Sequence, residues 1–303
     1  MKKRMISLML TAAIGAACLA GCGSTTETSA DTAADTTTAA DTTTAADTTA
    51  ADTQAEAGEA ETQTEAAGAT AEGDYKGSLS GVTLKVGCDT SFVPFCFPDD
   101  SNTYTGFDID LLEAFSDYLG FDYELQPMDF TALLMSVQTN KLDMAMAGIT
   151  ITEDRAAVMD ISDPYYDAGL QIFVKDDNED ITQIADLEGK KIALKEGTAS
   201  IDYVNENVKD CTVTTFPNIE SAYLEVQRGA ADAVVYDAPN MKYYLSQNPD
   251  SGCKVVGDLV DGCQYGVMLQ KGSEYTEYMD AALAAFKEDG TYDSIYEKWF
   301  GAE

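Results

Sequence analysis

Between Val82 and Asn240 the sequence runs twice through one alternation of β-type and helix-type stretches, and this doubling constrains the fold more than any other feature. In the first series VTLKVGCD alternates apolar and polar residues and ends polar, which suits a strand entering a loop. DIDLLEAFSDYLG then sets Ile109, Leu112, Phe115 and Leu119 at helical spacing and closes on Gly120. FDYELQPM reads as a second strand, Phe130 to Thr139 as a second helix and LDMAMAGI as a third strand. The second series starts with a strand at Lys191 to Leu194, a glycine-containing turn and a helix from about Ser200. CTVTTF, ESAYLEVQRG and ADAVVYDAPN continue it. Strand, helix, strand, helix, strand marks an α/β unit with a largely parallel sheet, so two series predict two lobes. The last 40 residues, from YGVMLQKGS to GTYDSIYEKWFG, supply a strand and two helices without a sheet of their own. Packing them onto the first lobe gives two crossings and hence a hinge. The expected limits are 79–165 with 264–303 for lobe 1, and 166–263 for lobe 2.

The N-terminal quarter cannot belong to that core. MKKRMISLMLTAAIGAACLAGC has three basic residues, an apolar run too short to span a bilayer comfortably, and small residues before Cys22. It reads as an export signal over 1–22. Leu19, Ala20, Gly21 and Cys22 resemble the lipobox of bacterial lipoproteins, in which the cysteine is lipidated and becomes the mature N-terminus. Residues 23–78 are almost all Ala, Thr, Asp and Glu, with AADTTT recurring from Ala33 to Ala51, and are expected to form a disordered linker. The expected location is extracytoplasmic, tethered by the lipid on Cys22 to the outer face of the cytoplasmic membrane.

Composition removes whole classes of function. The net charge is −35, and setting aside the signal and linker still leaves about −26, which argues against nucleic acid. The chain has no histidine, which removes Ser-His-Asp and Cys-His chemistry and most zinc sites. No metal, cofactor or catalytic residue is expected. Beyond Cys18 and Cys22 there are five cysteines, Cys88, Cys96, Cys211, Cys253 and Cys263, so at least one thiol has no intrachain partner. Cys253 with Cys263 is the first pair to test.

Open α/β sheets place ligands at the carboxyl ends of their strands. Polar residues end strands at Asp89, at Thr150 to Arg155, at Lys195 to Ser200 and at Tyr236 and Asp237, and facing lobes would bring all four into one cleft. In GITITEDR, Thr152 is a good N-cap, while Glu153 and Asp154 suit the positive end of a helix dipole. Arg155 would then join a threonine hydroxyl and free backbone N–H groups around one carboxylate. It could equally pair with Glu153 or Asp154 on the surface. LKEGTASID offers Lys195 and the amides of Thr198 and Ala199 at a helix start, and Asp237 ends AVVYD. An anion site facing a carboxylate matches a zwitterion, and free amino acids are zwitterions. Phe92 and Phe130 lie where apolar faces could sandwich an aliphatic stem, although core packing would explain either.

CDTSFVPFCF, GFDIDL, LDMAMAGITITEDR, FPNIESAYLE, ADAVVYDAPN, QYGV and GTYDSIYEKWFG together resemble the family 3 extracellular solute-binding proteins of bacterial ABC importers, and within them the glutamine-binding members. The resemblance covers Leu84 to Gly301 and implies a type II periplasmic-binding-protein fold with the ligand between lobes. It implies that Arg155 and Thr150, with the backbone at Ala199, hold the α-carboxylate of L-glutamine, and that Asp237 and the Gly148 carbonyl hold its ammonium. Asp89 and Lys195 would address the side-chain amide, and Phe92 and Phe130 would cover the stem. An amide offers donors and an acceptor, which an Asp and a Lys together satisfy. Tyr236 stands where the glutamine binders have histidine, and Ala199 replaces a glycine, which narrows the margin over asparagine or glutamate. The implied partners are an ABC permease and its ATPase. Two other readings share the fold: an exported dehydratase acting on prephenate-like acids, and a sensor module.

Overall fold

The structure is a computed structural model describing residues 75–301, all within one compact unit. The signal segment, Cys22 and nearly all of the expected linker lie outside the described residues. Tyr75 to Ser78, at the end of that linker, are part of the fold. The Tyr75 ring meets Tyr278 edge-on at 5.4 Å and its hydroxyl donates to Glu277, while Gly77 N–H donates to the Tyr118 carbonyl at 2.8 Å.

In the first lobe β1 (Thr83–Asp89) leads through a short hairpin, β2 (Phe97–Pro98) and β3 (Tyr104–Thr105), into α1 (Phe107–Leu119). α1 buries Ile109, Leu112, Phe115 and Leu119 and stops at left-handed Gly120, where a side chain would be strained. β4 (Asp122–Met128), α2 (Phe130–Gln138), β5 (Met144–Ala145), α3 (Glu153–Val158) and β6 (Asp160–Ile161) follow. The chain then enters β7 (Tyr166–Lys175) of the second lobe. A 3₁₀ turn at Ile184–Leu187 precedes β8 (Lys191–Lys195), α4 (Ala199–Asn207), β9 (Thr212–Phe216), α5 (Ile219–Gln227), β10 (Ala233–Asp237), α6 (Ala238–Gln247) and β11 (Cys253–Tyr265). β12 (Met268–Leu269), α7 (Thr276–Asp289) and α8 (Thr291–Phe300) return to the first lobe, where α7 and α8 pack on α1.

The two sheets have the orders β4-β1-β5-β12-β6 and β11-β7-β10-β8-β9. Both are mixed, which corrects the expectation of largely parallel sheets. β1 pairs in parallel with β4 and β5, but β12 runs antiparallel to β5 and β6, and β7 runs antiparallel to β10 and β11. The antiparallel strands are those next to the crossings, since a chain that leaves one sheet and soon comes back must reverse. The two crossing segments run side by side: Tyr165 N–H donates to Tyr265 O at 2.9 Å, and Tyr166 pairs with Tyr265 in the β7–β11 ladder. LDMAMAGI contributes only two residues of ladder. Its second half leaves the sheet because Gly148, at φ 54°, turns the backbone toward the cleft and donates its N–H to the buried Asp108 carboxylate at 2.8 Å.

Cys253 and Cys263 sit near opposite ends of β11, facing Lys175 and Ala168 on β7. At about 3.4 Å per residue along a strand they are far outside disulfide reach, so the pair suggested by the sequence is wrong. Among the described residues no helix is long and apolar enough to cross a membrane, and no cluster of potential metal ligands occurs.

Candidate functional site

The polar strand ends of both sheets converge on one narrow pocket. Nine of the twelve residues singled out from the sequence line it: Phe92, Phe130, Gly148, Thr150, Arg155, Thr198, Ala199, Tyr236 and Asp237. Ala147, Leu170 and Ser200 complete the wall.

One end is built from the GITITEDR turn and the start of α4. Thr152 caps α3 by accepting from Arg155 N–H at 3.3 Å. That occupies its hydroxyl, and Thr152, one of the candidate ligand contacts, does not line the pocket. The Arg155 guanidinium bonds to neither Glu153 nor Asp154. It donates to Thr150 O at 2.6 Å in its own lobe and to Gly197 O at 3.1 Å across the cleft, with its centre 5.5 Å from the Phe130 ring centroid. Burial lowers its pKa, opposed by the carboxylates of Asp237 and Asp202. Opposite stands α4, whose first N–H groups have no partners within the helix. Thr198 turns its hydroxyl away, to Lys195 O at 2.8 Å and Ser200 Oγ at 2.9 Å.

Asp237 ends β10 and accepts from the hydroxyl of Tyr265, which sits on a crossing strand. Burial raises its carboxyl to about 6, partly offset by that hydrogen bond and by the nearby Lys195 and Arg155. Behind Gly148 lies Asp108, fully buried and raised to about 7 by desolvation, with the Gly148 N–H and the Tyr165 hydroxyl opposing the shift. A Cβ at Gly148 would overlap the Phe92 ring, so glycine there is required by both space and φ.

The other end is chemically closed. Asp89 and Lys195 form an ion pair between the lobes, 1% and 0% exposed, behind the cavity wall rather than on it. The Lys195 ammonium lies 5.9 Å from the Phe92 ring centroid and 5.5 Å from that of Phe130. Tyr236 meets Phe92 edge-on at 6.1 Å. The sequence reading missed Glu220, in the first turn of α5. Burial raises its pKa, while Lys195 and the Ser91 hydroxyl lower it, so a second carboxylate stands near the pair. It also missed Asp108, although an acid beside the apolar stripe of α1 was a visible anomaly.

A cation and an acid stand at one end with amides and carbonyls between them, and a neutralised pair under two aromatic faces stands at the other. The pocket's charges and apolar faces therefore match a small zwitterion with an extended stem. Comparison with known proteins agrees with that chemistry. Residues 84–302 match the family described as bacterial extracellular solute-binding proteins, family 3. The L-cystine-binding protein TcyJ of Escherichia coli (strain K12) is 30% identical over 223 residues, 73% of this chain and 84% of that protein. An ancestral arginine-binding protein bound to glutamine is 43% identical, with TM-score 0.69 over 73% of this chain and 98% of that one. The ancestral amino acid-binding protein AncCDT-1, a precursor of cyclohexadienyl dehydratase, is 39% identical, with TM-score 0.67 over 72% and 95% of the two chains. The two mixed sheets, the double crossing and the polar pocket at the strand ends are thus those of a type II binding protein, and the chain belongs to the family 3 bacterial extracellular solute-binding proteins, the amino-acid-binding components of ABC importers.

Proposed function

We propose that the chain captures free L-glutamine between its lobes and delivers it to an ABC permease driven by an ATPase, while a lipid on Cys22 holds it at the membrane. The observation that carries this reading is the meeting of Arg155 and Asp237, opposite charges from opposite lobes, in one cavity with Thr150, Gly148 and the start of α4. In the bound form Arg155, Thr150 and the Ala199 amide take the α-carboxylate, and Asp237 with the Gly148 carbonyl takes the ammonium. Asp89 and Lys195 part to receive the side-chain amide under Phe92, Phe130 and Tyr236. Lobe 1 comprises 79–165 and 264–303, lobe 2 comprises 166–263, and ligand contacts from both favour the closed form. The chain is a binder rather than an enzyme, because its cleft acids are committed to fixed charged or hydroxyl partners.

Glu220 favours a second reading. Once Arg155 and Asp237 are matched by a zwitterion, Asp89 and Glu220 against Lys195 leave one negative charge, which suits arginine. The ancestral relative, named as an arginine binder and bound to glutamine, keeps both ligands in view. The test is calorimetric titration of the chain, stripped of ligand by unfolding and refolding, against all twenty amino acids and cystine. Tightest binding of glutamine supports the first reading, tightest binding of arginine the second, and absence of binding to any of them rejects both.

A further inference from the structure

Cys88 is the next-to-last residue of β1, and Cys96 follows eight residues later, beyond the turn that carries Asp89 and Phe92. The fold brings them together. Phe92 N–H donates to Cys96 O at 3.0 Å and Cys96 N–H to Phe92 O at 2.8 Å, which folds the loop back on itself. Both cysteines are free, and their side chains are buried in one small apolar cluster with Ile109, flanked by Tyr104 and Leu125. The other cysteines among the described residues are apart: Cys253 and Cys263 occupy separate ends of β11, and Cys211 turns its thiol to Val208 O at 3.8 Å.

We propose that Cys88 and Cys96 are the site of an intramolecular disulfide that staples the loop carrying Asp89 and Phe92 to the end of β1. The oxidant is an external disulfide of the glutathione type. Each cysteine gives up one proton and one electron, the sulfurs join, and the external disulfide takes up both electrons and both protons and leaves as two thiols. An extracellular family permits such bonds. Burial drives the Cys96 thiol far above its ordinary range, so the attacking thiolate is scarce once the cluster has closed. The bond therefore forms during folding rather than on the folded chain.

The test uses the full exported chain, reduced and unfolded, then refolded in mixed oxidised and reduced glutathione, alkylated in denaturant and digested with trypsin. Lys85 and Lys141 bracket a fragment that holds Cys88 and Cys96 and no other cysteine, Lys or Arg. The expected fragment carries no alkyl group, accepts two after reduction, and stays joined when cut by chymotrypsin after Phe92. The oxidised chain should melt about 5 °C above the reduced one. Two alkyl groups on the fragment after refolding, a glutathione adduct, or a bond from either cysteine to Cys211, Cys253 or Cys263 would each overturn the assignment. This outcome is independent of which amino acid the cleft takes.

Discussion

The two ends of the cleft use charge in opposite ways. At one end Arg155 is held by two backbone carbonyls, one from each lobe, and Asp237 by a tyrosine hydroxyl, so both keep hydrogen-bonding capacity beside the cavity. At the other end Asp89 and Lys195 are spent on each other and shielded by Phe92 and Phe130. A group fixed by neutral partners is ready for the charge that every amino acid carries. A paired group must break its bond before it meets a ligand, and only some side chains compensate for that cost. In the proposed function the first end sets whether an amino acid binds, and the second sets which one.

That contrast can be broken by substitution. Arg155→Ala should weaken binding of every amino acid alike by about 100-fold or more, measured by calorimetry on protein whose melting curve shows it folded. A loss confined to one ligand would erase the division between the ends. Lys195→Met leaves Asp89 buried without its partner and should cost about 3–5 kcal/mol in urea unfolding; adding Asp89→Asn should recover much of it while reordering the preferred amino acids. If the double variant keeps the original order of preference, the pair does not read the side chain. Gly148→Ala combines a left-handed backbone with overlap on Phe92 and should cost about 2 kcal/mol, and it should weaken all ligands together.

The smallest effect is with pH. Asp237 and Asp108 titrate at about 6 and about 7 in the folded chain, above the ordinary 3.8 of an aspartate. Carboxyls raised by folding contribute stability that is whole below about pH 4 and is lost as pH rises through their folded values. Melting temperature should therefore fall between about pH 4 and pH 7. Asp108→Asn, which keeps an acceptor for Gly148 N–H, should flatten the upper part of that fall; an unchanged slope would remove Asp108 as its source.

What could be read in advance followed chemical regularity. The period of α1, the Thr152 cap and the polar strand ends at Asp89, Lys195 and Asp237 are local features, and each lies where its local chemistry directs. β11 was not legible because its pairing with β7 shifts register twice and Gly257, Gly262, Asp258 and Asp261 interrupt its alternation. The partners of side chains were not legible either. Nothing near Asp89 in sequence shows that Lys195, 106 residues away, will neutralise it, or that Glu220 will approach from a third element. The cysteines carry the same lesson: the sequence put Cys253 with Cys263 first, whereas the turn after β1 brings Cys96 into one cluster with Cys88.

The most direct measurement leaves the protein untouched. The amino acid that binds most tightly is titrated alongside its N-acetyl derivative and its α-amide, which keep the side chain and remove one α-charge each. The expected result is that both derivatives lose at least about 100-fold in affinity, because Asp237 and Arg155 are each left facing a neutral group. If either derivative binds as tightly as the parent amino acid, the α-groups are not held at Arg155 and Asp237, and the division of the cleft into a general end and a selective end is wrong.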